Sequence, residues 1–503
     1  MSNEIAHKAV RNTFFNGASM AAPFLAGICK TVIVARALGP TRMGLFSYGV
    51  WLAGILGVLA LRGLNPATAK YVAEFIAQGD KARAVAVVRH IVVLQLLTSL
   101  AVAVVVVGIA GMFVKGPSLG VVGIAALILI PDTSRQVLAS VLAGWQRYDK
   151  LAYIGFVRAV PEVGLVALAA ILRSGVLGML AATLGCVLVN TWVTLRTVYP
   201  LLCSTDRLEI SPRLQETLRR VHRFALSETY LILLDAVVWS SSEIFFLKRY
   251  CALSEVALFG IAYALSEKPL NAGGALLNTL IPLSSEAVGR AGVQAVGKIY
   301  ESALKYAQVL MVPIFMVGII ISKPLIRLLY GPRYLSAAPV LQLLLVAVAF
   351  APLAAVAAAV LSATERQGFI AKCQTPMALL NIVLDLALIP KAGSVGAAIA
   401  KCVTQAVMTV LLLIGAGRTV SGRFPAATTA RIYLSGLVGA FPALLAYEAG
   451  ASYALTGAAV IASAFVYLVM LVACGEIRQR ELSVFYEAIG RPFGPWLGRG
   501  VGN

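Results

Sequence analysis

Long apolar runs separated by short polar connections dominate the chain. Ile91 to Val114 and Leu455 to Cys474 each reach the roughly 20 residues that a helix needs to cross hydrocarbon. Inside a bilayer every backbone N–H and C=O must be bonded within the protein, and a helix does this with no partner segment. A membrane barrel would show alternation over about ten residues, which these continuous runs do not. The pattern predicts fourteen helical spans, at 12–37, 42–64, 88–114, 118–143, 150–172, 175–199, 224–248, 254–278, 301–322, 336–362, 367–390, 394–416, 429–449 and 452–475. Between the sixth and seventh, Ser211 and Pro212 read as an N-cap and first helical residue. Leu214, Leu218 and Val221 then share one face, opposite Arg213, Arg219 and Arg220. That spacing predicts an amphipathic helix along the inner membrane surface.

This linker divides the chain into two halves of six spans. A weak repeat at an offset of 213 residues relates them: Arg36 with Leu45-Phe46 matches Arg249 with Leu258-Phe259, and Asn65 matches Asn278. The expected architecture is an all-α polytopic membrane protein. It has an N-terminal lobe (1–203), a cytoplasmic amphipathic linker (204–223), a C-terminal lobe (224–416), and a last part (417–503) with two further spans and a cytoplasmic tail.

Composition agrees. Hydrophobic residues make up 60% of the 503 and charged residues 13%, against about 25% charged in soluble domains. A net charge of +20 would suggest nucleic acid if it were gathered in one patch. Instead the 42 Lys and Arg are scattered between spans, and most fall in alternate connections. That bias places both termini in the cytoplasm, and no nucleic-acid partner is expected. The seven cysteines form no CxxC pair, and His7, His90 and His222 show no ligand spacing, so neither a metal nor another cofactor is expected. Gly292-Val-Gln-Ala-Val-Gly297-Lys298 imitates the start of a phosphate loop, but Ile299 stands where Ser or Thr must hold magnesium.

The candidate chemistry lies in charges within or near spans: Lys30, Arg158, Glu162, Asp235, Glu243, Glu267, Lys268, Asp385 and Lys401. A charge at the bilayer centre costs at least about 2.5 kcal/mol, so such residues face a cavity or a partner. Near span ends, Arg36, Arg62 and Glu243 have the alternative of reaching the interface. Glu267-Lys268-Pro269 suggests a helix break at membrane depth.

Four stretches carry a family resemblance. They are Val34-Ala-Arg-Ala-Leu-Gly-Pro-Thr-Arg-Met-Gly-Leu-Phe-Ser47 with Tyr71-Val-Ala-Glu74; Leu328-Leu-Tyr-Gly-Pro-Arg-Tyr-Leu-Ser-Ala-Ala-Pro-Val-Leu341; Leu361-Ser-Ala-Thr-Glu-Arg-Gln367; and Leu380-Asn381 through Leu388-Ile-Pro390 to Gly396-Ala-Ala-Ile-Ala400. In this order they resemble the polysaccharide transporter, or oligosaccharide flippase, family. Its superfamily also includes multidrug and toxin extruders and the lipid II flippase. The resemblance implies two six-helix lobes and alternating access in a bacterial inner membrane. The implied cargo is an undecaprenyl-diphosphate-linked oligosaccharide, moved from the cytoplasmic to the periplasmic leaflet for exopolysaccharide, capsule or O-antigen synthesis. Lys30, Arg158, Lys268 and Lys401 are the candidates for the cargo's diphosphate, and Ser240, Ser241, Ser242 and Asn271 for its sugars. Asp235, Glu243 and Asp385 are the candidates for coupling to protons or sodium. Membrane lipids and the polymerase and export machinery of the same pathway are the expected partners. The alternatives are a drug/cation antiporter of the superfamily and, as a different class, a membrane enzyme of the pathway. The short outer connections argue against an enzyme.

Overall fold

A computed structural model describes residues 2–113, 116–203, 212–238, 242–422 and 424–476; within these it leaves undescribed the side chains of 2–22, 117, 212–214, 231, 235, 237–238, 268–279, 281–282 and 291. The described residues form fifteen α-helices and no strand. They are α1 (Ser2–Leu61), α2 (Leu64–Ala77), α3 (Lys81–Phe113), α4 (Pro117–Gly144), α5 (Tyr148–Ile171), α6 (Gly175–Leu202), α7 (Pro212–Val238), α8 (Glu243–Tyr250), α9 (Leu253–Ala291), α10 (Val296–Tyr330), α11 (Ala337–Ala363), α12 (Gln367–Val420), α13 (Ala426–Gly439), α14 (Phe441–Glu448) and α15 (Tyr453–Ala473). Among the described residues, ten helical stretches are long and apolar enough to cross a membrane. The protein is a multi-pass membrane protein, and its exterior shows why. Only 22% of the most apolar window of α3 is buried inside the protein, and Leu97, Leu100 and Val104 stand outward. Such a surface is stable only against lipid.

Among the described residues each expected span falls on helix, the seventh divided between α7 and α8 and the thirteenth between α13 and α14. α1 and α12 each hold two, joined across residues with non-helical torsions, Gly39 (φ 72°) and Gly393 (φ 55°). A side chain is strained at such φ, and glycine is not. At the first joint Pro40 follows and also lacks the N–H that would continue the ladder. At the second, the Glu255 carboxylate accepts from the Ser394 backbone N–H at 2.9 Å and from its hydroxyl. An acid at the start of a helical segment satisfies its orphan donors and complements its dipole. The break expected at Glu267-Lys268-Pro269 is absent: α9 continues through it. A proline removes one donor, and the remaining ladder carries the helix past it.

The chain forms two compact units. One comprises Met1–Ala275, Leu329–Leu344 and Gln367–Met408; the other comprises Leu276–Leu328, Leu345–Arg366 and Thr409–Asn503. In the first, Gly44 of α1 meets the start of α9 so closely that an added Cβ would lie 1.7 Å from the Leu253 carbonyl oxygen. Also in this unit, Arg36 Nε donates to the Leu329 carbonyl at 2.8 Å and Tyr334 Oη donates to that of Ala35 at 2.8 Å. In the second unit α13 and α15 close on α10. Gly436 admits Val312 and Met316, and Tyr467 Oη donates to the Val309 carbonyl at 3.0 Å. Glu476, just past α15, pairs with Arg431 at 3.2 Å and Lys305 at 3.9 Å.

The stretch expected as a separate surface helix is instead the opening of α7, which runs on without interruption to Val238; residues 204–211 lie outside the described residues. Val221 is fully buried and Leu218 partly so, in a cluster with Tyr71, Phe75 and Ile91. The apolar face thus has a protein partner in α2 and α3, while Arg219 is exposed and Arg220 reaches Glu74 of α2.

Gly44→Val is expected to force α1 from α9 and cost about 1–3 kcal/mol, as overpacking does. Gly164→Ala, with no atom within 4 Å of its added Cβ, is the matched control. Thermal unfolding in detergent should separate the two; equal midpoints would contradict the packing.

Candidate functional site

Two clusters of opposite charge balance lie in the first unit. The first is built on α1, α5 and α6. Lys30 Nζ lies 3.7 Å from Glu162 Oε1, and Arg158 Nε lies 3.1 Å from Glu162 Oε2. Arg158 and Glu162 stand one helical turn apart on α5, the spacing at which side chains meet. Between them comes Pro161, whose carbonyl accepts from the Cys186 thiol at 3.1 Å. That contact ties α6 to the turn carrying Glu162. Glu162 is nearly buried, Lys30 mostly so, and Arg158 is 35% exposed. With all three ionised, the group carries one positive charge in excess. It can therefore take an anion without losing its internal pairing.

The second cluster joins α8, α9 and α12. Glu243 and Asp385 are both 0% exposed. Lys401 Nζ lies 3.5 Å from Glu243 Oε1 and 5.4 Å from the centre of the Tyr263 ring. Asp385 Oδ2 accepts from Asn381 Nδ2 at 3.1 Å and from Ser242 Oγ at 3.5 Å, and Asn381 Nδ2 also donates to Ser242 Oγ at 3.2 Å. Both Glu243 oxygens and Asp385 Oδ1 are buried with no hydrogen-bond donor. Among the described residues that the contacts join here, two carboxylates meet one ammonium, so full ionisation of these three leaves one negative charge in excess. A buried group of this kind holds a proton or a small cation to balance its charge.

The expected positive set is thus divided. Lys30 and Arg158 come together on Glu162, an acid the sequence singled out without a role. Lys401 instead serves an acid of the coupling set, Glu243, because α12 returns past Gly393 to bring it to Asp385. Ser240 and Ser241 lie outside the described residues, as do the side chains of Asp235, Lys268 and Asn271. Glu243, a candidate for reaching the interface, is fully buried.

One polar group was not anticipated. Asp132, Arg135 and Gln136 interrupt the apolar run of α4, and that interruption is its signal in the sequence. Arg135 lies 2.7 Å from Asp132 Oδ1, Gln136 Nε2 donates to Asp132 Oδ2 at 2.9 Å, and Asn65 Nδ2 donates to Gln136 Oε1 at 3.2 Å. Its charges cancel, so it reads as a structural tie between α2 and α4.

A family model described as polysaccharide biosynthesis protein matches residues 33–339. The probable low-salt glycan biosynthesis flippase Agl15 of Haloferax volcanii is 22% identical over 383 residues, 75% of this chain and 77% of that protein. An uncharacterized membrane protein of Methanocaldococcus jannaschii is 29% identical over 120 residues, 24% of each. Among solved structures, the lipid II flippase MurJ in an inward closed conformation superposes with a TM-score of 0.72 at 14% identity, covering 95% of this chain and 99% of that one. An inward-facing multidrug resistance MATE transporter gives 0.62 at 16% identity, covering 80% and 98%. The fold is therefore of the MurJ and MATE type.

Glu162→Gln should strand two cations. The expected cost is about 2 kcal/mol, below the 3–5 of a fully enclosed pair because Arg158 is partly solvated. Adding Lys30→Met should restore part of it. A double-mutant cycle on unfolding midpoints checks this, and additive losses would show that the two residues do not interact.

Proposed function

The chain belongs to the polysaccharide biosynthesis protein family, and from that premise we propose that it is a flippase for a lipid-linked oligosaccharide. The cargo is carried on a polyprenyl diphosphate, as undecaprenyl diphosphate in a bacterial inner membrane. It turns from the cytoplasmic leaflet to the outer one as two lobes, 1–203 and 224–416, alternate in access. The chain is a transporter and not an enzyme of the pathway, and it hands its cargo to the polymerase and export machinery.

The observation that carries this reading is the excess positive charge of Lys30, Arg158 and Glu162. A diphosphate leaving water needs cationic donors in a medium of low dielectric constant. Charge-assisted hydrogen bonds to it are worth roughly 1.5–3 kcal/mol each. Glu162 holds the two cations at membrane depth, and a diphosphate meets the positive charge that this pairing leaves over. The similarity to Agl15, a probable low-salt glycan biosynthesis flippase, supports the class of cargo.

The acid-rich cluster favours coupling. Lys401 neutralises one carboxylate as a resident cation. The other, of Glu243 and Asp385, exchanges a proton or a sodium ion as the lobes alternate. A drug/cation antiporter would use such a cluster for its cargo. That reading leaves the positive triad without a task.

Lys30→Ala should lower flipping of the lipid-linked oligosaccharide in proteoliposomes at least about tenfold, with insertion intact and a loss of stability no larger than that of Glu162→Gln. Lys30→Arg should keep part of the rate, since the charge survives and the geometry changes. Normal flipping by Lys30→Ala would remove the triad from the cargo site. Asp385→Asn should abolish the response of flipping to an imposed proton or sodium gradient while cargo binding persists. An unchanged gradient response would exclude Asp385 from coupling.

A further inference from the structure

Two of the three histidines, 132 positions apart, meet on helices that belong to different halves of the sequence. His90 of α3 and His222 of α7 place their Nε2 atoms 3.0 Å apart, with ring planes at 81°. Both side chains are half-buried. Around them the third and fourth turns of α7 are fastened to α2. Arg220 grips Glu74 with two hydrogen bonds, at 2.8 and 3.3 Å, which holds the guanidinium above its ordinary pKa. Tyr71 Oη donates to the Arg220 carbonyl at 3.3 Å, and Lys70 Nζ sits 3.9 Å above the Phe224 ring. Gly63 approaches so closely that a Cβ there would lie 2.2 Å from the Ala225 carbonyl oxygen.

We infer that the His90–His222 pair is a proton-released latch that fastens the start of α7, and with it the second half of the chain, to α2 and α3 of the first.

The argument is one of proton counting. A contact of 3.0 Å between two ring nitrogens is an N–H···N bond, with one proton between two atoms. The neutral pair has it when one ring is the Nε2–H tautomer and the other the Nδ1–H tautomer. The singly charged pair keeps it, since imidazolium donates to imidazole. The doubly charged pair cannot: two N–H groups then point at each other and two positive charges share one contact. Among the described residues neither ring has a carboxylate partner that would reward the second proton. The charged groups on the packed elements are engaged, positive, or, on α7, the acids Glu216 and Glu228, six residues to either side of His222 and bonded to neither ring. On α2, Glu74 is held by Arg220 and Lys70 lies over Phe224. On α3, Arg89 donates to the Leu202 carbonyl of α6, at 3.2 Å. On the turn into α5, Arg147 is paired with Asp149 at 3.1 Å. On α7, Arg219 and Arg223 are exposed cations. The latch is therefore closed while the pair carries no more than one charge, and opens as falling pH adds the second.

The chain has 3 histidines, so full-length protein labelled with ¹⁵N-histidine in lipid nanodiscs reports the pair almost alone, with His7→Ala removing the remaining signal. Between pH 8 and 5 the His90 and His222 signals should titrate as one coupled system in two steps. The second step should coincide with a rise of about fivefold in amide exchange over 215–225, after correction for intrinsic rates. His90→Gln, which can hydrogen-bond but takes no proton, should keep those amides protected throughout. His90→Phe with His222→Phe, if it folds, should show protection independent of pH. Glu74→Gln should loosen the segment at every pH and keep the acid step. Independent titration of the two histidines would overturn the proposal. So would exchange that is flat in the wild type, or an acid step that survives in His90→Gln.

Discussion

A charge taken into hydrocarbon must bring its own partner, and the interior of this protein is arranged around that requirement. The backbone satisfies itself by being helical, which leaves the side chains as the source of specificity between helices. Apolar side chains pack against lipid about as well as against each other, so they only weakly select which helices become neighbours. Ionic contacts select strongly, because the alternative is an unpaired charge in a medium that stabilises it poorly. Lys30 and Glu162 join α1 to α5, and Glu243 and Lys401 join α8 to α12. Glu255 seats the second segment of α12 on the start of α9. Where charge is absent, very close backbone approach does the same work, as at Gly44 and Leu253.

The two candidate clusters differ from these ties in one respect: among the described residues their charges do not cancel. Asp132 with Arg135 is a closed account, and nothing further is asked of it. Lys30, Arg158 and Glu162 are left with a positive charge, and Glu243, Asp385 and Lys401 with a negative one. A residual charge at membrane depth costs free energy in every state that lacks a neutralising ligand. That cost is sensible in a transporter, whose resting states must be poised and not deeply stable. Under the proposed function the signs also divide the labour: an anion for the first cluster, and a proton or small cation for the second.

Much of the fold was legible in the sequence, because the length of an apolar run is a local property. Fourteen spans could be placed by counting, including the pairs within α1 and α12, since Gly39-Pro40 and the glycine after Pro390-Lys-Ala mark the joints. The site was legible only as a set of residues. Lys30 and Arg158 were selected by depth alone, and their common partner Glu162 lies 132 residues after Lys30, beyond the reach of any spacing rule. The same limit hid His90 and His222, which sequential spacing dismisses and folding brings into contact. Asp132 and Arg135 escaped notice for the opposite reason: their signal was local but sat inside a run apolar enough to pass as uniform. Leu218 and Val221 share one face of α7, yet a pattern of faces cannot say whether protein or lipid covers the apolar one.

The stretches that carry the family resemblance fall largely at joints, and this follows from the same physics. The stretch from Val34 to Ser47 and the stretch from Leu328 to Leu341 meet each other: Arg36 binds the Leu329 carbonyl, and Tyr334 binds that of Ala35. The stretch through Asn381 to Ala400 holds the Gly393 break and the Asp385 environment. These positions depend on backbone carbonyls, positive φ and buried hydrogen bonds, each of which admits few residue types. Lys30 and Arg158 lie outside every one of those stretches. A helix face that contacts only cargo is constrained by the cargo, and the joints are constrained by the fold that all relatives share. Resemblance concentrated at joints therefore reports the moving framework, and the identity of the sugar must be sought on the helix faces between them.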